Sequence, residues 1–168
     1  MFLYLFVIFI VIQRLIELKI AKKNAKYLQS LGGYQLGEGH YPLIVSLHVA
    51  FIFSLLIEGL IVNQLSSFWV FFFLLFIAAQ LVRLWVISSL GKFWNTRIYI
   101  LPNSIPIKSG PYKYVKHPNY IVVMVEMITI PLIFGAHLTA VVFPILNAII
   151  LTVRIKEEEK ALALLVKK

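Results

Sequence analysis

The chain contains no cysteine. Disulfide frameworks, thiolate metal sites and a cysteine nucleophile are thereby excluded. Its four histidines are scattered without metal-ligand spacing, so no metal is expected. The Gly-rich stretch GGYQLGEGHYP at 32–42 reads as a turn-forming loop. It lacks the Gly-Lys-Thr or Gly-Lys-Ser ending of a phosphate loop, which removes a nucleotide role for it. The N-terminus has neither the basic segment nor the small-residue cleavage site of a signal peptide, so MFLYLFVIFI begins a retained first helix. No convincing internal repeat is present. Acidic residues are scarce, seven against sixteen Lys and Arg, for a formal net charge of +9.

What the chain does have is apolar surface. Of its 168 residues 61% are hydrophobic, and the mean hydropathy is +0.90. A soluble fold of this length could not bury that much apolar area under a polar exterior. The class is all-α integral membrane protein, in one domain spanning 1–168. In such a chain the positive charge reads as topology and attraction to anionic lipid, and no nucleic-acid partner is expected. Four apolar blocks lie at about 2–18, 41–62, 67–87 and 120–152. The first three approach the ~20 residues needed to cross a bilayer. The fourth is too long for one crossing. It divides at IFGAHL into a helical hairpin, Tyr120–Phe134 and Leu138–Thr152, turning at Gly135-Ala136, with Pro131 and Pro144 kinking its arms. Five transmembrane helices, or three plus a re-entrant pair, are predicted.

The charges exclude an even number of crossings. Lys19, Lys22, Lys23 and Lys26 follow the first block. The NQLSS connection after the second is uncharged, and Lys92, Arg97, Lys108, Lys113 and Lys116 follow the third. The Gly135 turn is uncharged, and Arg154, Lys156, Lys160, Lys167 and Lys168 lie in the tail. Basic and neutral connections alternate, as five crossings require. The positive-inside rule then places the N-terminus outside and the long loops and tail in the cytoplasm. The segment 88–119 reads as ordered loop with short elements, and 154–165 as an amphipathic helix.

The polar chemistry gathers at SGPYKYVKHPNY, residues 109–120. Gly110-Pro111 makes a turn, and Pro118 suits the first turn of a helix. His117 then sits at the cap, with Asn119 and Tyr120 just inside. Free backbone N–H groups there can receive ligand acceptors. Tyr112, Tyr114 and Tyr120 offer ring faces to a flat base or a cation. Lys113 and Lys116 can meet a carboxylate or phosphate. The stretch suits a cofactor with a flat base, hydroxyls and charged ends. An ordinary interfacial belt of Tyr and Lys would show the same composition. Arg154 and Glu158 lie four apart on one helix face just past the last block. They are either a solvated pair or groups pointing back under the fourth helix. Glu126, well inside that helix and seven residues from Asn119, either lines an acceptor cavity or acts as a catalytic base, or else is a protonated structural carboxyl bonded to a neighbouring helix. Glu58 and His48 carry the same ambiguity, and His137 is interfacial.

GPYKYVKHPNY, a hydrophobic hairpin and then RIKEEEKAL together resemble the isoprenylcysteine carboxyl methyltransferase family, over about residues 80–165. SLGKFWNTRI at 89–98 is similar to the segment preceding its motif. The resemblance implies a membrane-embedded O-methyltransferase using S-adenosylmethionine. It implies cofactor contacts from Ser104, Ile105, Pro106, Ile107, Tyr112, His117, Pro118, Asn119, Tyr120 and Glu158. It implies that Arg154 faces the methyl acceptor. Lys116 departs from the usual Arg before His, which loses bidentate contact and keeps the charge. The bacterial branch resembled here includes enzymes acting on long-chain alkylpyrones made by polyketide synthases, so a lipid-like enol or acid is the expected acceptor. Residues 1–87 then form three N-terminal helices and 88–168 the catalytic region. Two rivals remain at this point: an NADPH-dependent reductase of a sterol-like lipid, whose family has similar C-terminal ends, and a non-enzymatic membrane scaffold.

Overall fold

The computed structural model describes residues 1–37, 39 and 41–166, with side chains as far as Ala163. Glu38 and His40 of the Gly-rich loop, and Lys167 and Lys168 of the tail, lie outside the described residues. Five helices carry the chain: α1 Phe2–Ser30, α2 Tyr41–Val62, α3 Trp69–Leu90, α4 Pro118–Ile133 and α5 His137–Val166. The all-α expectation is met with one addition. Tyr34–Leu36 (β1) and Ile98–Ile100 (β2) pair antiparallel, Tyr34 opposite Ile100 and Leu36 opposite Ile98. The pairing fastens the first long loop to the second.

α1 runs well past the apolar block at its start. Its second half is amphipathic, burying Ala21, Asn24 and Leu28 and exposing the lysines. The fourth apolar block does turn where expected. α4 stops at Ile133, Gly135 takes φ +67°, and α5 begins at His137. That left-handed conformation is open to glycine at little cost. α5 continues unbroken to Val166, so the second hairpin arm and the charged tail form one rod.

The helices alternate in direction. At one end Phe2 meets Trp69 and Phe134, Leu3 fits against Gly59, and the Ser66 N–H bonds to the Ile133 carbonyl. At the other end Asn24 bonds to the Gly91 and Trp94 carbonyls, and Tyr41 to Thr96. The uncharged connections thus gather at one end and the basic loops at the other. Three stretches are long and apolar enough to cross a membrane, Tyr41–Val62, Trp69–Phe93 and His137–Ala163. α4 has only 16 residues, or about 24 Å at 1.5 Å per residue. Between the helices, Phe6, Phe51, Phe76, Met127, Ile130 and Phe134 form the main apolar core. In lipid such contacts act through close packing rather than water exclusion.

Candidate active site

At the basic end, two neighbouring pieces of chain and a third from the distant end of α5 close around one cleft of about 910 Å³. The first is the turn Gly110–Lys113. Gly110 has φ +55°, and a Cβ there would fall 2.0 Å from Ser89 Oγ and 3.1 Å from Trp85 Nε1. Only glycine lets this turn lie flat on α3. Tyr112 then packs on Val86 and Trp94 and lines the cleft. Burial, and after it the Glu158 carboxylate, push its phenol pKa upward.

The second piece is the start of α4. Pro118 occupies the first turn, where its missing N–H is no loss, and His117 caps it. The His117 ring stacks on Tyr120 at 5.3 Å and 14°. His117 Nε2 and Asn119 Oδ1 are buried without a hydrogen-bond partner. Buried polar atoms are rarely left so, and both residues border the cleft.

The third piece is the far half of α5. Arg154 donates from Nε to the Tyr120 hydroxyl at 2.7 Å and from Nη2 to the Thr96 carbonyl at 2.7 Å. The Tyr120 hydroxyl in turn donates to Glu158. His117 Nδ1 lies 3.6 Å from Glu158, an ion pair rather than a hydrogen bond, and its Nε2 lies 3.9 Å from Glu159. Lys116 reaches Glu159 at 3.5 Å. Glu158, with Glu159 adding and burial opposing, holds the His117 imidazole above its ordinary value. Arg154 and Glu158 are therefore turned inward, not solvated.

Tyr112, His117, Asn119, Tyr120, Arg154 and Glu158 come together in this cleft, and Pro106 and Ile107 join them on its wall. Ser104, Ile105 and Pro118 do not line it. Ser104 Oγ instead closes a turn onto the Leu101 carbonyl, and Ile105 is 87% exposed. Glu126 lies elsewhere, in a buried ion cluster with Arg14, Glu17 and Arg83. Glu58 accepts from the Leu138 and Thr139 N–H groups at the start of α5. His48 faces its own Ile44 carbonyl, and His137 is exposed at the turn.

Sequence reading missed one wall altogether. Trp94, Arg97 and Tyr99 line the cleft because β1 holds β2 in place. Arg97 is itself anchored to Gln35 at 3.1 Å and lies over the Tyr41 ring at 4.6 Å. The Ile98/Ile100 alternation was the available signal, and it is too short to stand alone. The finished cleft combines apolar walls from Ile98, Ile100, Ile107 and Leu162 with five cationic side chains, Arg97, Lys108, Lys113, Lys116 and Arg154. Glu158 and Glu159 are its carboxylates. Such a lining can seat an amphiphile with a charged head. No group of three or more His, Asp or Glu suited to a metal occurs among the described residues.

The chain is 41% identical over 160 residues to the uncharacterized protein YpbQ of Bacillus subtilis, covering 95% of each. It is 36% identical over 155 residues to an uncharacterized protein of Haemophilus influenzae, covering 89% of this chain and 88% of that one. No solved structure matches. The model of the isoprenylcysteine carboxyl methyltransferase family matches residues 69–164, from α3 through the cleft to the tail of α5. With more than half its length matched and a relative alike almost end to end, the chain belongs to the isoprenylcysteine carboxyl methyltransferase family.

Proposed function

We propose that the protein is an S-adenosylmethionine-dependent O-methyltransferase acting on a lipid-like acceptor at the membrane. One observation carries the reading. His117, Tyr120, Arg154 and Glu158 form a continuous polar chain within a single cleft, drawn from two helices of the family-matched region. The donor set fits the cofactor. Glu158 can accept from ribose hydroxyls or an ammonium, the tyrosine faces suit a flat base or a sulfonium, and the orphaned His117 Nε2 and Asn119 Oδ1 offer unspent hydrogen bonds. When bound, S-adenosylmethionine supplies an already activated methyl group.

The chain's own work is then to hold and to exclude. Arg154, steadied by Tyr120 and Thr96, holds the negative charge of an acceptor oxygen in line. An acidic acceptor, a carboxylic acid or a carbonyl-conjugated enol, is largely ionised at neutral pH, so a strong general base is not required. We assign Glu126 no catalytic role, a reading supported by the ion cluster that holds its carboxylate. The apolar wall receives the acceptor's chain and keeps water out. We place the cleft in the cytoplasm and the N-terminus outside, with α1 and α4 completing five crossings of a bacterial membrane. The alternating helix directions and one-sided basic loops support this topology. A long-chain alkylpyrone enol or a fatty carboxylic acid is the acceptor class we favour.

The test is calorimetric titration of the detergent-purified protein with S-adenosylhomocysteine and with NADPH. Saturable binding of the former alone is expected, weakened in His117→Ala and Glu158→Ala. Binding of NADPH alone, or of neither, refutes the assignment.

A further inference from the structure

The densest polar feature outside the cleft lies in mid-bundle and leaves an otherwise puzzling question open. α4 reads PNYIVVMVEMITIPLI, and beyond its first turn only Glu126 and Thr129 break an otherwise apolar surface. In lipid, no face of such a helix is preferred by hydrophobicity alone. Something else must decide which way it points.

Glu126 is placed to decide it. Two other helices send donors to its carboxylate. Arg83 of α3 bonds one oxygen from Nε at 3.1 Å and the other from Nη2. Gln80 of α3 and Arg14 of α1, the latter at 2.6 Å, complete the shell. Arg83 and Glu126 are each 2% exposed. The third Arg83 nitrogen, Nη1, reaches Glu17 at 3.1 Å, and Arg14 Nη1 reaches Glu17 at 2.7 Å. Every charge in the cluster is matched. The guanidinium fork is planar and directional, so it accepts the carboxylate over a narrow range of helix rotation. Turning α4 by one residue, about 100°, would carry Glu126 off the fork toward apolar surroundings.

Glu126 shares a face with the buried Val122 and Ile133, and that face begins at Asn119. About 10 Å of rigid helix joins the two positions. We propose that Arg83 and Glu126 are positioning residues: their two-point ion pair sets the rotation of α4 about its axis and so aims His117, Asn119 and Tyr120 into the cleft. The sequence places Glu126 in the right helix, but only the contact with Arg83 gives it this role.

The test uses the double variant Arg83→Leu/Glu126→Leu. It removes one positive and one negative group together and leaves Arg14 matched to Glu17, so no buried charge is orphaned. Replacing a buried pair by apolar residues is often neutral for stability. Two readouts are taken. One is S-adenosylhomocysteine affinity, which rests on the cofactor reading above. The other is the distance between spin labels at Leu84→Cys on α3 and Ile121→Cys on α4, both exposed positions in a cysteine-free chain. That second readout is independent of any ligand.

We expect thermal stability to be kept, affinity to fall about tenfold or more, and the label distances to shift or broaden. Unchanged distances overturn the proposal, whatever the affinity does. Altered distances with wild-type affinity overturn it too, because the rotation then does not serve the cleft. If the double variant does not fold, Arg83→Lys is read the same way, since it keeps the charge and loses the fork. If the unmutated protein binds no S-adenosylhomocysteine, the cofactor reading fails, and the label distances alone decide whether the pair sets the rotation.

Discussion

Gly110→Ala offers a sharp test of how the cleft is assembled. Two separate penalties are expected. The backbone sits at φ +55°, and a left-handed conformation costs an alanine about 1–2 kcal/mol. The new methyl group also falls 2.0 Å from Ser89 Oγ and 2.9 Å from Ser89 Cβ. The hydroxyl could rotate away, but the Cβ position is fixed by the α3 backbone and cannot. Forcing a methyl into such a contact typically costs about 1–3 kcal/mol. The sum is about 2–5 kcal/mol, unless the turn lifts from α3. Lifting it would displace Tyr112 and Lys113 from the cleft wall, so cofactor affinity would fall instead of stability. Chemical unfolding in detergent and S-adenosylhomocysteine titration together capture both routes. Ser89→Ala in the Gly110→Ala background removes the 2.0 Å contact and leaves the 2.9 Å one. It should recover part of the loss, giving a coupling of at least about 0.5 kcal/mol in the double-mutant cycle. Strict additivity, or a Gly110→Ala protein with wild-type stability and affinity, would refute the reasoning.

Other expectations follow from the same geometry. Arg154→Lys cannot hold the Tyr120 hydroxyl and the Thr96 carbonyl at once, so methyl transfer from labelled cofactor into long-chain alkylpyrones or fatty acids should drop about ten- to a hundredfold with little change in cofactor affinity; an unchanged rate would remove Arg154 from the acceptor site. The His117–Glu158 pair carries a linked pH dependence, because the folded-state pKa of His117 is raised above 6.5. Its stabilisation is full below 6.5 and is lost as pH rises through the raised value, so the melting-temperature gap between wild type and His117→Gln should narrow with rising pH; a gap that widens contradicts the pairing. Glu58→Ala frees the Leu138 and Thr139 N–H groups that begin α5, and should destabilise the protein by about 1–2 kcal/mol in unfolding experiments, as loss of a helix cap does.

Several parts of the molecule were legible from residues alone, because their signals are local. Gly135 and His137 interrupt one apolar run and mark a hairpin turn, and α4 and α5 divide there. Pro118 after a polar His117 marks a helix start, and the structure begins α4 at that proline. Type and spacing left His117, Tyr120, Arg154 and Glu158 open to a bland reading; the family resemblance singled them out, and they meet in one cleft. Residues 104–107 were carried over by position alone, and of them Pro106 and Ile107 line the cleft while Ser104 and Ile105 do not.

What sequence by itself determined, then, was the membrane class, the helix boundaries marked by Gly and Pro, the segregation of charge to alternate loops, and the family motif. These depend on composition and on neighbours within a turn or two. Tertiary structure decided the rest, because each remaining feature joins residues distant in the chain. Three-residue strands are too short to be read, and β1 and β2 exist only because each supplies the other's hydrogen bonds. Glu126 looked the same whether it served a reaction or a neighbour, and its contact with Arg83, 43 positions away, is visible only in three dimensions. Along an apolar helix every face is alike to lipid, so only packing against another helix can choose the face that works.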